Sequence, residues 1–268
     1  MRRALSYLTF INLLFLLLLG LGGLASGIFG QIIYDLAFLF PTTLAFLLKG
    51  RLEAPPKFLP LKLSGDSAVS LIPIIAPTLA LVFFVSWLTS FILSFIGEGS
   101  VTDVSGNIVK VIFTHAVLTA LFEELLFRYV PLAFLSPITK RGAVWISALF
   151  FAFAHCSLYQ IPYAFIAGVI FAAIDLAFDS IWPSVLIHFL NNLISILWLR
   201  NAESRVFVTV YITILTACAL ISILAIVFKR SAYKEKLQSV FANKEKYILS
   251  YEPMLFFITA LVIAAFNL

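Results

Sequence analysis

Apolar runs of about 20 residues, repeated along a chain and bounded by charges, Pro or Gly, leave few folds open, because a helix of that length matches the hydrocarbon thickness of a bilayer. Here such runs lie near Leu5–Ile28, Ile32–Leu48, Val69–Ile96, Ile108–Leu135, Ala143–Tyr159, Ile161–Phe178, Trp182–Leu199, Val206–Phe228 and Met254–Phe266. The first eight are long enough to cross or nearly so, and the last is short and placed at the interface. The runs are continuous, whereas barrel strands alternate apolar and polar residues, so helices are expected. The fold read from the sequence is all-α: a polytopic transmembrane bundle of about eight spans plus a short C-terminal hydrophobic helix.

Composition agrees. Of 268 residues 62% are apolar and 12% charged, against roughly 45–50% and 25% in soluble globular proteins. A soluble chain of this size needs more polar surface to cover its core. The net charge of +5 comes without a basic stripe interleaved with aromatics, so nucleic acid is excluded as a partner and membrane lipids are expected. Cys156 and Cys218 both sit in apolar runs, where neither a disulfide framework nor a zinc-binding Cys cluster fits.

The basic residues orient the bundle. Arg2 and Arg3, then Lys49, Arg51, Lys57 and Lys62, then Lys140 and Arg141, then the Lys-rich 229–246 stretch all fall on one side, 14 of the 18 Lys and Arg. The positive-inside rule makes that side, and the N-terminus, cytoplasmic, so the expected location is integral to the plasma membrane. The 97–107 loop with Glu98 and Asp103 is then outside, and Arg200 and Arg205 are the misfits. Arg2-Arg3, Leu13–Leu19 and Ala25-Ser26-Gly27 follow the order of a signal peptide, but the apolar run exceeds the usual core of about 7–15 residues. Residues 229–252, with Tyr233, Phe241 and Tyr247 among the lysines, read as a short amphipathic helix on anionic headgroups.

Polar groups inside spans cost about 2.5–3.5 kcal/mol each at a helix centre and so carry function or pairing. They are His115, Glu123, Glu124, Arg128, His155, Asp175, Asp179, His188, Asn191 and Asn192. Arg128 follows Glu124 by four residues, about 40° round a helix, which suits an i,i+4 ion pair. Glu123 points about 100° away from Glu124 and keeps no local partner, which leaves a carboxylate free to act as a general base. His188 and Asn192 also stand i,i+4 and share one helix face, and His155 closes the run Phe151-Ala152-Phe153-Ala154. Asp175 and Asp179 read as a polar end to their span, and His115 as a packing residue. There is no H-E-x-x-H zinc helix, no G-x-S-x-G elbow and no P-loop.

The ordered set Glu123-Glu124-x-x-x-Arg128, Phe151-x-x-x-His155 and His188-x-x-x-Asn192, each on its own span, resembles the CAAX-protease and bacteriocin-processing family of intramembrane endopeptidases, which includes the type II CAAX prenyl proteases. The resemblance covers about 108–200 and divides the chain into N-terminal helices (1–106), a catalytic core (107–200) and a C-terminal part (201–268). It implies that Glu123 and His155 activate a water, that His188 and Asn192 donate to the oxyanion of a peptide bond, and that Glu124 and Arg128 support Glu123. The implied substrate is a membrane-associated or lipidated peptide, and no soluble cofactor is called for. Glu123, His155 and His188 would also suit zinc with the fourth position open to water. The residues leave the metal and the metal-free glutamate mechanisms both open. A non-catalytic scaffold or immunity-type protein of the same fold is the alternative, and a proton-coupled transporter a further one.

Overall fold

The computed structural model describes residues 1–24, 27–52, 54–95, 104–241 and 252–266, so Glu98, Asp103 and Tyr247 lie outside the described residues. Ten helices and no strand are found among the described residues. They are α1 (Arg2–Leu24), α2 (Gly27–Leu48), α3 (Gly65–Leu93), α4 (108–135), α5 (Lys140–Ala154), α6 (Ile161–Phe178), α7 (Trp182–Asn201), α8 (Arg205–Phe228), α9 (Arg230–Phe241) and α10 (Glu252–Phe266). The all-α bundle expected from the apolar runs is therefore present. Among the described residues five helices, α1, α3, α6, α7 and α8, are each long and apolar enough to cross a membrane, and the protein is an integral membrane protein. The other three runs counted from the sequence form α2, α4 and α5.

Side-chain caps start several helices where the sequence offers a short polar residue. Ser64 accepts from the Ser67 amide, Asn107 from those of Val109 and Lys110, Thr139 from Gly142 and Ser204 from Phe207. The fifth run stops at Ala154 rather than Tyr159. His155 caps α5, and Cys156 turns the chain with a φ of 46°. Asp179, with a φ of 48°, ends α6 the same way.

The two ends of the bundle are tied separately. At one end the Lys57 amide donates to the Ala133 carbonyl (3.0 Å), the Trp182 indole to that of Leu61 (2.8 Å), the Tyr233 hydroxyl to that of Ser70 (2.9 Å) and Lys140 to that of Ser239 (3.3 Å). All these segments belong to the side that the basic residues mark. At the other end Arg200 donates from Nε to the Val104 carbonyl and from its terminal nitrogen to that of Gly106, both at 2.8 Å. Arg200, out of place by the charge rule, thus holds the chain entering α4 against the end of α7.

Helix α9 buries Tyr233 and Val240 against the bundle rather than only lying on headgroups. Helix α10 also packs inward: Phe256, Ala260 and Ala264 are buried, and the Phe256 and Phe257 rings stack around Phe150 at 5.1 and 5.6 Å. The main core gathers side chains of α1, α2, α4, α5 and α6. Helix α6 approaches α5 closely at Gly168, where a Cβ would stand 2.9 Å from the Ala148 Cα. Small residues let membrane helices approach in this way, since packing rather than hydrophobicity drives their association. Gly168→Ala should therefore lower stability by about 1–3 kcal/mol, measured as an earlier unfolding midpoint in mixed micelles of a mild detergent and dodecyl sulfate.

Candidate active site

Helix α4 carries the site, and it is not a regular α-helix. A π-turn at Phe113–Leu118 and another at Leu125–Tyr129 flank the α-helical Thr119–Glu124. The second has a local cause. Pro131 has no amide hydrogen and its ring crowds the carbonyl four residues earlier, that of Phe127. The freed Phe127 carbonyl accepts a hydrogen bond from the buried Ser147 hydroxyl of α5, so no buried acceptor is orphaned. One proline thus widens α4 just after the glutamates and attaches it to α5.

Glu124 is fully buried and lies between two partners. Its Oε1 accepts from Nδ1 of His188 on α7 at 2.7 Å, and its Oε2 lies 3.5 Å from Nε of Arg128. The i,i+4 pair expected from the sequence is present, and the bond to His188 comes in addition. Arg128 is itself fully buried, and none of its three nitrogens makes a hydrogen bond. Its guanidinium carbon stands 3.8 Å from the centroid of the Phe151 ring and 5.7 Å from that of Phe171. Carboxylate fields and aromatic faces therefore hold this cation.

Glu123 is half-buried, and its Oε2 stands 3.7 Å from Nε2 of His188. That is too long for a hydrogen bond, and the buried Oε2 atom has no hydrogen-bond partner. Because Nδ1 of His188 is taken by Glu124, the Nε2 edge is the one that faces Glu123. His188 thus touches both glutamates, one through each ring nitrogen.

His155 sits at the end of α5, where its Nδ1 lies 2.9 Å from the Phe151 carbonyl. A carbonyl only accepts, so Nδ1 carries the hydrogen, and in the neutral ring Nε2 carries the lone pair. The Phe151 ring meets both histidines edge to face, His155 at 4.9 Å and His188 at 5.6 Å between centroids. It therefore links α5 to α7 and covers Arg128. Asn192 lies two turns beyond Ser184 on α7, half-buried, and its carbonyl oxygen accepts from the Asn191 amide at 3.4 Å. His115 is exposed on the first π-turn.

Residues 105–194 match the family model described as Type II CAAX prenyl endopeptidase Rce1-like. This stretch is similar to that family. The Rce1-like segment spans α4, α5, α6 and the first part of α7, and all the site residues named from the sequence lie within it. Neither the curated proteins nor the solved structures gave a match to the chain.

The zinc set proposed from the sequence does not assemble. Among the described residues no three His, Cys, Asp or Glu side chains are grouped to hold a metal ion. Nδ1 of His188 is already bonded to Glu124, and Nδ1 of His155 to a backbone carbonyl of its own helix. Nε2 is the nitrogen left free on each ring, but Glu123, His155 and His188 are not grouped as a three-ligand set in this arrangement.

Sequence reasoning passed over Ser184 and gave Asp175 no part in the site. Asp175 is not the polar end of its span: it is fully buried and its Oδ1 accepts from the Ser184 amide at 3.0 Å. The available signal was an acidic residue inside an apolar run with no basic residue within a turn. Removing one partner of a buried ion pair leaves the other charge uncompensated, at a cost of about 3–5 kcal/mol. Arg128→Met should lose about that much in mixed-micelle unfolding, whereas exposed Arg205→Met should change stability by less than about 0.5 kcal/mol.

Proposed function

We propose that the protein is an intramembrane endopeptidase of the CAAX prenyl protease type, hydrolysing a peptide bond in a membrane-associated or lipidated peptide. The observation that carries this reading is Glu123: a carboxylate oxygen buried among helices, without a hydrogen bond, opposite the Nε2 edge of an imidazole that a second carboxylate holds. A structural ion-pair cluster accounts for Glu124 and Arg128 but leaves Glu123 unexplained. The match of residues 105–194 to the Rce1-like family model supports the same reading.

In this mechanism Glu123 takes a proton from a water, assisted by the Nε2 lone pair of His155, and the oxygen attacks the scissile carbonyl carbon. The carbonyl oxygen becomes an oxyanion. Nε2 of His188 donates to it as the imidazolium, whose charge Glu124 balances through the 2.7 Å bond, and the Asn192 amide is the second donor. The tetrahedral species then collapses, the C–N bond breaks, and the proton on Glu123 passes to the leaving amine. Low dielectric strengthens each of these interactions. With the basic ends of the bundle in the cytoplasm, the substrate reaches the site from the cytoplasmic leaflet.

Glu123→Gln keeps size and shape and removes the base. Cleavage of a prenylated C-terminal peptide by the purified protein should fall by at least about a hundredfold, with the unfolding midpoint unchanged. Wild-type activity in that variant would contradict the reading and favour a scaffold of the same fold. The same assay with chelator tests the metal question directly: the proposed chemistry keeps its rate, and loss of rate restored by added zinc would replace it.

A further inference from the structure

The first turn of a helix leaves backbone amides with no partner inside the helix. In α7 the amides from Trp182 to Val185 are accounted for, and one of them is met by a residue outside the three motifs. The N-cap position is Ile181, whose side chain cannot accept a hydrogen bond. The Trp182 amide donates to the Ser180 hydroxyl oxygen at 3.3 Å, Pro183 has no amide hydrogen, and the Val185 amide donates to the Ile181 carbonyl at 3.3 Å. The Ser184 amide remains, and it donates to Oδ1 of Asp175, on α6, at 3.0 Å.

The cap is therefore supplied by another helix. Asp175 is completely buried, and its second oxygen has no hydrogen-bond partner. Such a group is costly in a membrane interior unless something holds it. The positive end of α7 does so in part, and Arg128 attracts it as well. Ser184, His188 and Asn192 stand at successive four-residue steps and line one face of α7. Fixing the Ser184 amide thus fixes the axial and rotational position at which His188 meets Glu124. The Ser184 hydroxyl donates to the Ile181 carbonyl at 3.0 Å, and Ser184, Asp175, Glu124 and Arg128 are all completely buried.

We infer that Asp175 is a positioning residue of the site: by capping α7 from α6 it sets the register at which His188 bonds Glu124 and faces Glu123. The catalytic part of this inference rests on the proposed peptidase reading, while the positional part does not. Asp175 touches neither substrate nor reacting atoms and acts through α7.

The test uses the full-length protein in detergent, labelled with 15N-histidine, as wild type, Asp175→Asn and Asp175→Leu. His188→Gln assigns the His188 signals. Asn keeps an acceptor for the Ser184 amide and Leu does not. The expected result is a low-field Nδ1–H signal of His188 in wild type and Asp175→Asn that is lost or displaced in Asp175→Leu. In parallel, kcat for Asp175→Leu should fall roughly tenfold to a hundredfold, with KM little changed and rescue by Asn. If Asp175→Leu does not fold, Asp175→Ser, too short to reach the amide, makes the same comparison. An unchanged His188 signal in Asp175→Leu or Asp175→Ser overturns the inference. If wild type cleaves no peptide but the signal follows the cap, the peptidase reading fails and the positioning stands. If wild type cleaves and Asp175→Leu retains both full kcat and an unchanged His188 signal, the positioning fails and the peptidase reading stands.

Discussion

A carboxylate enclosed among helices has to be neutralised by groups on those same helices, and Glu124 shows how that requirement organises this protein. Its two oxygens face an imidazole from α7 and a guanidinium from its own helix. Without them the desolvation of a buried charge would exceed what packing returns. With them, the position of α7 relative to α4 is set by a directional bond rather than by apolar packing alone, which in lipid is weakly specifying. The consequence is chemical. Once Nδ1 of His188 is committed to Glu124, its Nε2 edge faces the neighbouring Glu123, whose Oε2 makes no hydrogen bond.

The surrounding elements serve this arrangement. Pro131 forces a π-turn and frees a carbonyl that Ser147 takes up, binding α5 to α4. From α5, Phe151 lays its face on Arg128 and its edges toward both histidines. Gly168 then lets α6 approach α5 closely enough to bring Asp175 to the start of α7. Each step is a local response to a missing donor, a missing side chain or an unbalanced charge, and together they enclose one polar cluster in an otherwise apolar core.

Much of this was legible in the sequence, and the rest was hidden for physical reasons. The apolar runs fixed the helices because a bilayer permits little else, and the glutamate, histidine and asparagine motifs marked α4, α5 and α7. The bond between Glu124 and His188 was not legible, since 64 residues separate them and no periodicity carries across helices. Regular helical angles also mislead across 125–129, where a π-turn replaces the 3.6-residue period. The metal set was read from residue type and helix depth, and no group of three ligands is found among the described residues. Asp175 was read by its proximity to Asp179, although the two diverge: Asp175 is buried, whereas Asp179 is exposed in a left-handed turn, 3.9 Å from Lys57.

The Glu124–His188 bond joins α4 to α7, and a double-mutant cycle measures how strongly. Unfolding free energies would be measured in mixed micelles for wild type, Glu124→Gln, His188→Gln and the double variant. A buried charge-assisted bond predicts a coupling energy of at least about 1.5 kcal/mol between the two positions. Additive losses, with coupling near zero, would mean that the two residues do not hold the helices together.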